Sequence, residues 1–401
     1  MKRARNGTAA DPMDSVYLDH AATTPVRPEV HEIMARHLAD DFGNPSSVHR
    51  WGRRAAAVLG DARARVAEAL GCRASEIVFV RGGSESNNLA LRGRWAACPS
   101  PDRPFEIVCT AVEHAAVRET GEALEAVGAR RHVIPVDPGG RPDLDLLDGL
   151  LDRNPALVSM MWVNNEVGTV LPVPAVARRC ANAGVAMHTD AVQALGKVRV
   201  RLDETPVALL SATGHKLGGP RGTGILFVRE GTELRPMLTG GGQERGLRPG
   251  TEDVVGAVGM AEAMTLAVAE QEEEAGRLTA LREDLEASLL ERCPYLQVHG
   301  ADGERAPHIL NLGVPGADPA LLIQALDLEG VAVSSGSACS SGAHRAGPVL
   351  RALLGESANG VAPVRFSLGR GTSDHDIGRA VALAAPVLER MCAPTTGAAR
   401  P

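Results

Sequence analysis

The chain has 401 residues, with 42 lysines and arginines against 49 aspartates and glutamates and a formal net charge of -7. That length exceeds one small core, so a large and a smaller domain with a cleft between them are expected. The acidic balance offers no electrostatic grip on nucleic acid or an anionic membrane, which leaves small-molecule chemistry as the favoured class.

The N-terminal stretch MKRARNGTAADPM is basic with no apolar run behind it, so residues 1–15 read as a disordered leader and a cytoplasmic location is expected. The longest apolar runs, 156–163 and 207–212, fall far short of the roughly 20 residues of a membrane-spanning helix. From Glu76 onward, short apolar runs alternate with helical patterns. EIVFV precedes a helix over 84–97, FEIVCT one over 115–127, HVIPV one over 143–153 and ALVSMMWV one over 173–183, followed by VAMHTDAV, VALLSAT and GILFV. This rhythm predicts a large α/β domain over 16–265, with a mainly parallel central sheet flanked by helices and ligands at the strand ends. Residues 253–292 contain no proline and read as one connecting helix. PYLQVHG, HILNLGV, a helix at 318–328, VAVSS, a helix near 347–353, VRFSLG and a helix from 374 then give a smaller α+β domain over 266–392, onto which the first residues of the large domain are expected to pack. Residues 393–401 lack periodicity and read as a loose tail.

Chemistry concentrates where these strands end. SATGHKLGGPRGTG (211–224) follows an apolar strand and aims Lys216, beside His215, into the cleft. Asp190 closes another buried strand, where an unpaired carboxylate is costly and calls for a cation such as a protonated pyridine nitrogen. RGGSESNN (81–88) opens a helix, so Gly83, Ser84 and the free N–H groups can hold a phosphate; it matches neither dinucleotide nor P-loop spacing. His114 stands at a strand-to-loop junction, where its ring could stack on a cofactor. Arg365 lies in an alternating strand and, if inward, needs an anion, either a substrate carboxylate or a structural acid.

The seven cysteines are odd in number and show neither CxxC pairs nor metal-ligand spacing, so reduced thiols and no metal are expected. Cys109 fits a buried strand; Cys339, in VSSGSACSSGAHRAG, sits in a run of small polar residues that cannot bury it and reads as a nucleophile.

The ordered set YLDHAATTP (17–25), FGNPSSVHRWG (42–52), GGSESNN, EHAAV, NNEVG, HTDAVQALGK, GHKLGGPRG, GGGQERGLRPGTED (240–253), SGSACSSG and RFSLGR (365–370) spans nearly the whole chain. It resembles the cysteine desulfurase family, class-V aminotransferase-like enzymes of pyridoxal-phosphate (PLP) fold type I, in the NifS/IscS-like group. The resemblance implies conversion of L-cysteine to L-alanine, with the sulfur carried on Cys339 as a persulfide and passed to an acceptor. It implies Lys216 as the lysine that binds PLP covalently, Asp190 on the pyridine nitrogen, Gln193 on the ring hydroxyl and His114 stacked on the ring. Asn165 and Arg365 would hold the substrate carboxylate, and Ser84, Thr213 and His215 the phosphate. It also implies a homodimer in which Thr251 crosses to the partner's phosphate site. Two positions depart from the family: Ser84 replaces a common threonine, keeping the hydroxyl, and the Cys339 loop continues GAHRAGP where relatives often have Ser-Leu-Glu-Pro. The destination of the sulfur stays open among iron–sulfur clusters, tRNA, a thio-cofactor, a natural product and DNA. Rival chemistries on the same scaffold are selenocysteine lyase, sulfide-releasing β-lyase and aminotransferase; only sulfur abstraction requires the Cys339 thiol.

Overall fold

The computed structural model describes residues 15–98, 104–336 and 346–392. Residues 1–14 of the expected leader, the tail and Cys339 itself lie outside those residues. In chain order the strands are β1 (Val16–Tyr17), β2 (Ile77–Val80), β3 (Glu106–Thr110), β4 (Arg130–Ile134), β5 (Leu157–Ser159), β6 (Met187–Asp190), β7 (Leu209–Thr213), β8 (Gly224–Val228), β9 (Gln297–Val298), β10 (Ile309–Pro315), β11 (Val331–Ala332) and β12 (Val361–Ser367).

Seven of these form one sheet in the order β2-β8-β7-β6-β5-β3-β4. Only β8 runs against its neighbours, β2 and β7; the other pairings are parallel. The carboxyl ends of β2, β3, β5, β6 and β7 therefore open on one edge, the place where ligands collect in such sheets. β6, β7 and β8 are buried along their whole length, as strands covered on both faces must be; β8, GILFV, is a continuous apolar run, whereas β6, MHTD, buries polar side chains.

A second core gathers around an antiparallel sheet, β12-β10-β9, and the parallel pair β1-β11. Phe366 on β12 is fully buried there, a contribution of about 1.5–3 kcal/mol for one such side chain. Ser367 N–H donates to Leu18 O at 2.7 Å, and the segment after Leu18 runs on to the large sheet's edge, where Thr24 N–H donates to His215 O at 2.9 Å.

The sequence reading of one helix over 253–292 is corrected. Two helices, Val254–Ala269 and Gln271–Arg292, meet at Glu270. The first is buried on most sides, the second carries a one-sided apolar stripe, and the Glu270 carboxylate is drawn aside by Arg27 at 2.9 Å and Arg370 at 3.4 Å. β4 begins two residues earlier than HVIPV suggests and stops before Pro135, which has no N–H for the ladder. Two further helices, Pro28–Asp40 and Arg50–Leu70, pack on Val254–Ala269 and support the sheet from outside. No described helix is long and apolar enough to cross a membrane.

Candidate active site

The strand ends place the site side chains. β7 ends at Thr213, and a single 3-10 turn, Gly214–Lys216, swings the lysine over the sheet edge. The Lys216 amine donates to Ala21 O and Ala22 O, both at 2.5 Å. Burial, reinforced by the Arg365 charge, lowers its pKa to about 8, against the pull of Asp19 and Asp190.

Asp190 ends β6 and is buried. Its Oδ2 accepts from Asn87 Nδ2 at 2.7 Å and its Oδ1 from Val192 N–H at 2.9 Å, but no cation pairs with it among the described residues. Asn87 Oδ1 and Thr189 Oγ1, buried nearby in sequence or contact, also lack partners.

A cavity of about 440 Å³ opens at the start of the helix Gly83–Ala97, lined by Thr23, Arg81, Ser84, Thr213, His215 and Arg221 among others. Gly82 enters this helix at φ 145°, a backbone state that L side chains rarely adopt, and a Cβ on Gly83 would come within 2.8 Å of Val192. The first helical N–H groups have no partner within the helix, so donors, a helix dipole and guanidinium groups face one space: a donor set suited to a phosphate. Three of the four expected phosphate residues, Ser84, Thr213 and His215, thus come together, with Gly83. Thr251 does not join them; it is exposed on the loop before Val254–Ala269, near Asp253, which pairs with Arg81 at 2.8 Å.

A hydrogen-bond chain fastens this helix to the sheet. Ser159 Oγ lies 2.8 Å from His188 Nδ1, His188 Nε2 3.0 Å from Ser211 Oγ, and Ser86 Oγ 2.8 Å from both Ser211 Oγ and Ile225 O. Burial lowers the His188 pKa to about 3, so the ring is neutral. Only one proton order satisfies all four links: Ser159 donates to Nδ1, Nε2–H to Ser211, Ser211 to Ser86, and Ser86 to the Ile225 carbonyl.

Arg365 points inward. Its Nη1 donates to Asn165 O at 2.8 Å and its Nη2 pairs with Asp19 at 2.7 Å, while Nε is buried without a partner, as is Asn165 Oδ1. A structural acid and an unfilled donor therefore coexist on one guanidinium, and a carboxylate on Nε would complete it. Gln193 reaches the Ala21 carbonyl at 2.8 Å, the same oxygen that holds Lys216, and its other end meets His308 at 3.2 Å. His114 is exposed and caps the helix Ala115–Glu125, its Nδ1 accepting from Ala116 N–H at 3.1 Å; in the neutral ring the proton is then on Nε2. It makes no hydrogen bond to Lys216 or Asp190 among the described residues.

The sequence reading missed Asn87, Arg221, His308 and the carbonyls of Ala21 and Ala22. Asn87 left a signal, a polar residue on the buried face of a helix; carbonyl positions leave none.

The class-V aminotransferase profile matches residues 16–379. A cysteine desulfurase of Cereibacter sphaeroides is 41% identical over 381 residues, 94% of this chain and 97% of the relative. A solved NifS-like protein superposes with a TM-score of 0.85 and 34% identity, covering 94% of this chain and 100% of its own. A structure described as SspA in complex with cysteine gives a TM-score of 0.76 and 29% identity, covering 88% of this chain and 99% of its own.

Proposed function

The chain belongs to the class-V aminotransferase family and is a PLP-dependent cysteine desulfurase of PLP fold type I, and we propose that Lys216, Asp190, Arg365 and Cys339 divide the work of converting L-cysteine to L-alanine. The observation that carries this division is the meeting, on one sheet edge, of a lysine amine with lowered pKa and a buried carboxylate that lacks a cation.

Bound PLP supplies an electron sink for the carbanion at the substrate Cα. Ser84, Thr213, His215 and the N–H groups around Gly83 would hold its phosphate, Asp190 would keep its ring nitrogen protonated, Gln193 would serve its ring hydroxyl and His114 would cover its face. Arg365 Nε and Asn165 take the substrate carboxylate, which fixes the Cα–H bond in place. The Lys216 amine removes the Cα proton and returns a proton to carbon. Cys339, as thiolate, attacks the substrate sulfur; the C–S bond breaks with its electrons going to carbon, which is protonated and leaves as alanine. Cys339 retains the sulfur as a persulfide for an acceptor. Ser334, five residues before Cys339, exchanges backbone hydrogen bonds with Arg365, and five residues of chain reach at most about 18 Å.

The assembly belongs to the same proposal. Phe42, Val48 and Leu38 are 73%, 88% and 71% exposed, and the Phe42 and Trp51 rings lie 5.5 Å apart, an apolar corner suited to a second copy of the chain. In such a homodimer the exposed Thr251 would complete the partner's phosphate site. Six described cysteines form no disulfide, as suits a reducing cytoplasm. The direct test is alanine formation from L-cysteine by the PLP-loaded protein beside Lys216→Ala. Turnover confined to the wild type is the expected result; equal turnover by the variant would remove Lys216 from the reaction.

A further inference from the structure

Glu113 joins β3 to His114, yet the chemistry above gives it no task. Its side chain is 2% exposed. Oε1 accepts from the Thr110 hydroxyl at 2.6 Å and from Met161 N–H at 2.9 Å, whereas Oε2 is buried with no partner. No lysine, arginine or histidine pairs with it among the described residues. From β6 the charged group bearing on it is Asp190, of like sign; from β3 it is Cys109, a thiol that burial pushes up to about 12 and keeps neutral. The segment after β5 contributes Met161, which is uncharged. An ionised Glu113 would be a second uncompensated negative charge beside Asp190, and a carboxyl so placed takes a proton instead. Burial pushes its pKa from 4.5 up to about 8, against the two donors on Oε1 and with Asp190 adding to the rise.

We propose that Glu113 is a positioning residue that works as a neutral carboxylic acid: Oε1 pins the turn presenting His114 to the backbone beyond β5, and the proton on Oε2 leaves Asp190 without a second negative charge against it. The proposal rests on reading His114 and Asp190 as cofactor groups. Glutamine preserves the acceptor for Thr110 and Met161 and replaces the acid hydroxyl with an amide; alanine removes both.

The test compares the wild type, Glu113→Gln and Glu113→Ala as PLP-loaded full chains. Glu113→Ala should lower kcat by about tenfold to a hundredfold through displacement of His114, and Glu113→Gln should recover most of that loss. The infrared difference between wild type and Glu113→Gln at pH 7 should contain the carbonyl stretch of a protonated acid. The folded pKa lies above the unfolded one, so this proton stabilises the fold fully below pH 4.5 and the contribution is lost as pH rises through about 8. Glu113→Gln should therefore gain in unfolding temperature on the wild type across that window. Wild-type kcat in Glu113→Ala, or a Glu113→Gln as impaired as alanine, would overturn the positioning role, and carboxylate bands at pH 7 would overturn the protonation. If Glu113→Ala does not fold, the glutamine and infrared measurements decide alone. Absent turnover in the wild type itself would count against the desulfurase chemistry, on which the infrared and melting measurements do not depend.

Discussion

Lys216 and Arg365 show what single side chains contribute and how their roles separate. Burial holds the Lys216 amine near pKa 8, so at neutral pH a share of it is unprotonated and able to bond to an aldehyde. Lys216→Ala should remain folded and hold PLP without a covalent link; after borohydride reduction, intact mass should show the cofactor fixed to wild type and absent from the variant. Arg365→Ala should act on the other side of the substrate. A lost charge-assisted hydrogen bond costs about 1.5–3 kcal/mol, so KM for cysteine should rise about tenfold to a hundredfold with a smaller change in kcat. An unchanged KM would leave Arg365 with only its structural partner, Asp19. These two residues were legible in the sequence because a lysine in a glycine-rich strand end and an arginine in an apolar strand are chemically expensive places for charge. Gln193 was expected at the site only through the family resemblance, and its bond to the Ala21 carbonyl was not expected at all, since a backbone acceptor from a segment 172 residues away leaves no mark in the chain.

Elements set the positions that those residues occupy. The helix Gly83–Ala97 brings Ser84 to the cavity and Asn87 to Asp190, and its register depends on the directed chain from Ser159 through His188 and Ser211 to Ser86. Ser211→Ala interrupts this chain in the middle and leaves the buried His188 Nε2–H without an acceptor, while Ser86 keeps its bond to the Ile225 carbonyl, at a cost of about 1–3 kcal/mol in urea unfolding. PLP affinity should fall with it although Ser211 is not a cofactor residue; unaltered affinity would show that the helix is held by its apolar packing alone. Strand and helix identity in the large sheet was readable from periodicity, since buried parallel strands are short apolar runs. The break at Glu270 was not; the ion pairs that Glu270 makes there, with Arg27 and Arg370, join residues far apart in sequence. The helices Pro28–Asp40 and Arg50–Leu70 lay before the alternating pattern that guided the reading, although Pro28 at the helix start is a recognisable signal.

At the scale of the whole molecule, the two cores meet along the segment from Leu18 to Ala22, so Arg365 on β12 and Lys216 after β7 are held in one frame. If the proposed homodimer forms through the exposed corner around Phe42 and Trp51, Trp51→Glu should yield monomers by sedimentation and bind PLP more weakly, because the Thr251 proposed to cross would no longer reach a second chain; an intact dimer would move the interface elsewhere. The central claim, that sulfur leaves cysteine for Cys339, is tested most directly by intact mass after incubation with L-cysteine, on wild type and Cys339→Ser in parallel. A serine hydroxyl is barely ionised near neutral pH and accepts sulfur poorly, whereas a thiol of pKa about 8.5 already supplies thiolate. The wild type should gain one sulfur, about 32 Da, and form alanine, while the serine variant gains none and its alanine output collapses. Undiminished alanine from Cys339→Ser, with no adduct on the wild type, would contradict the account.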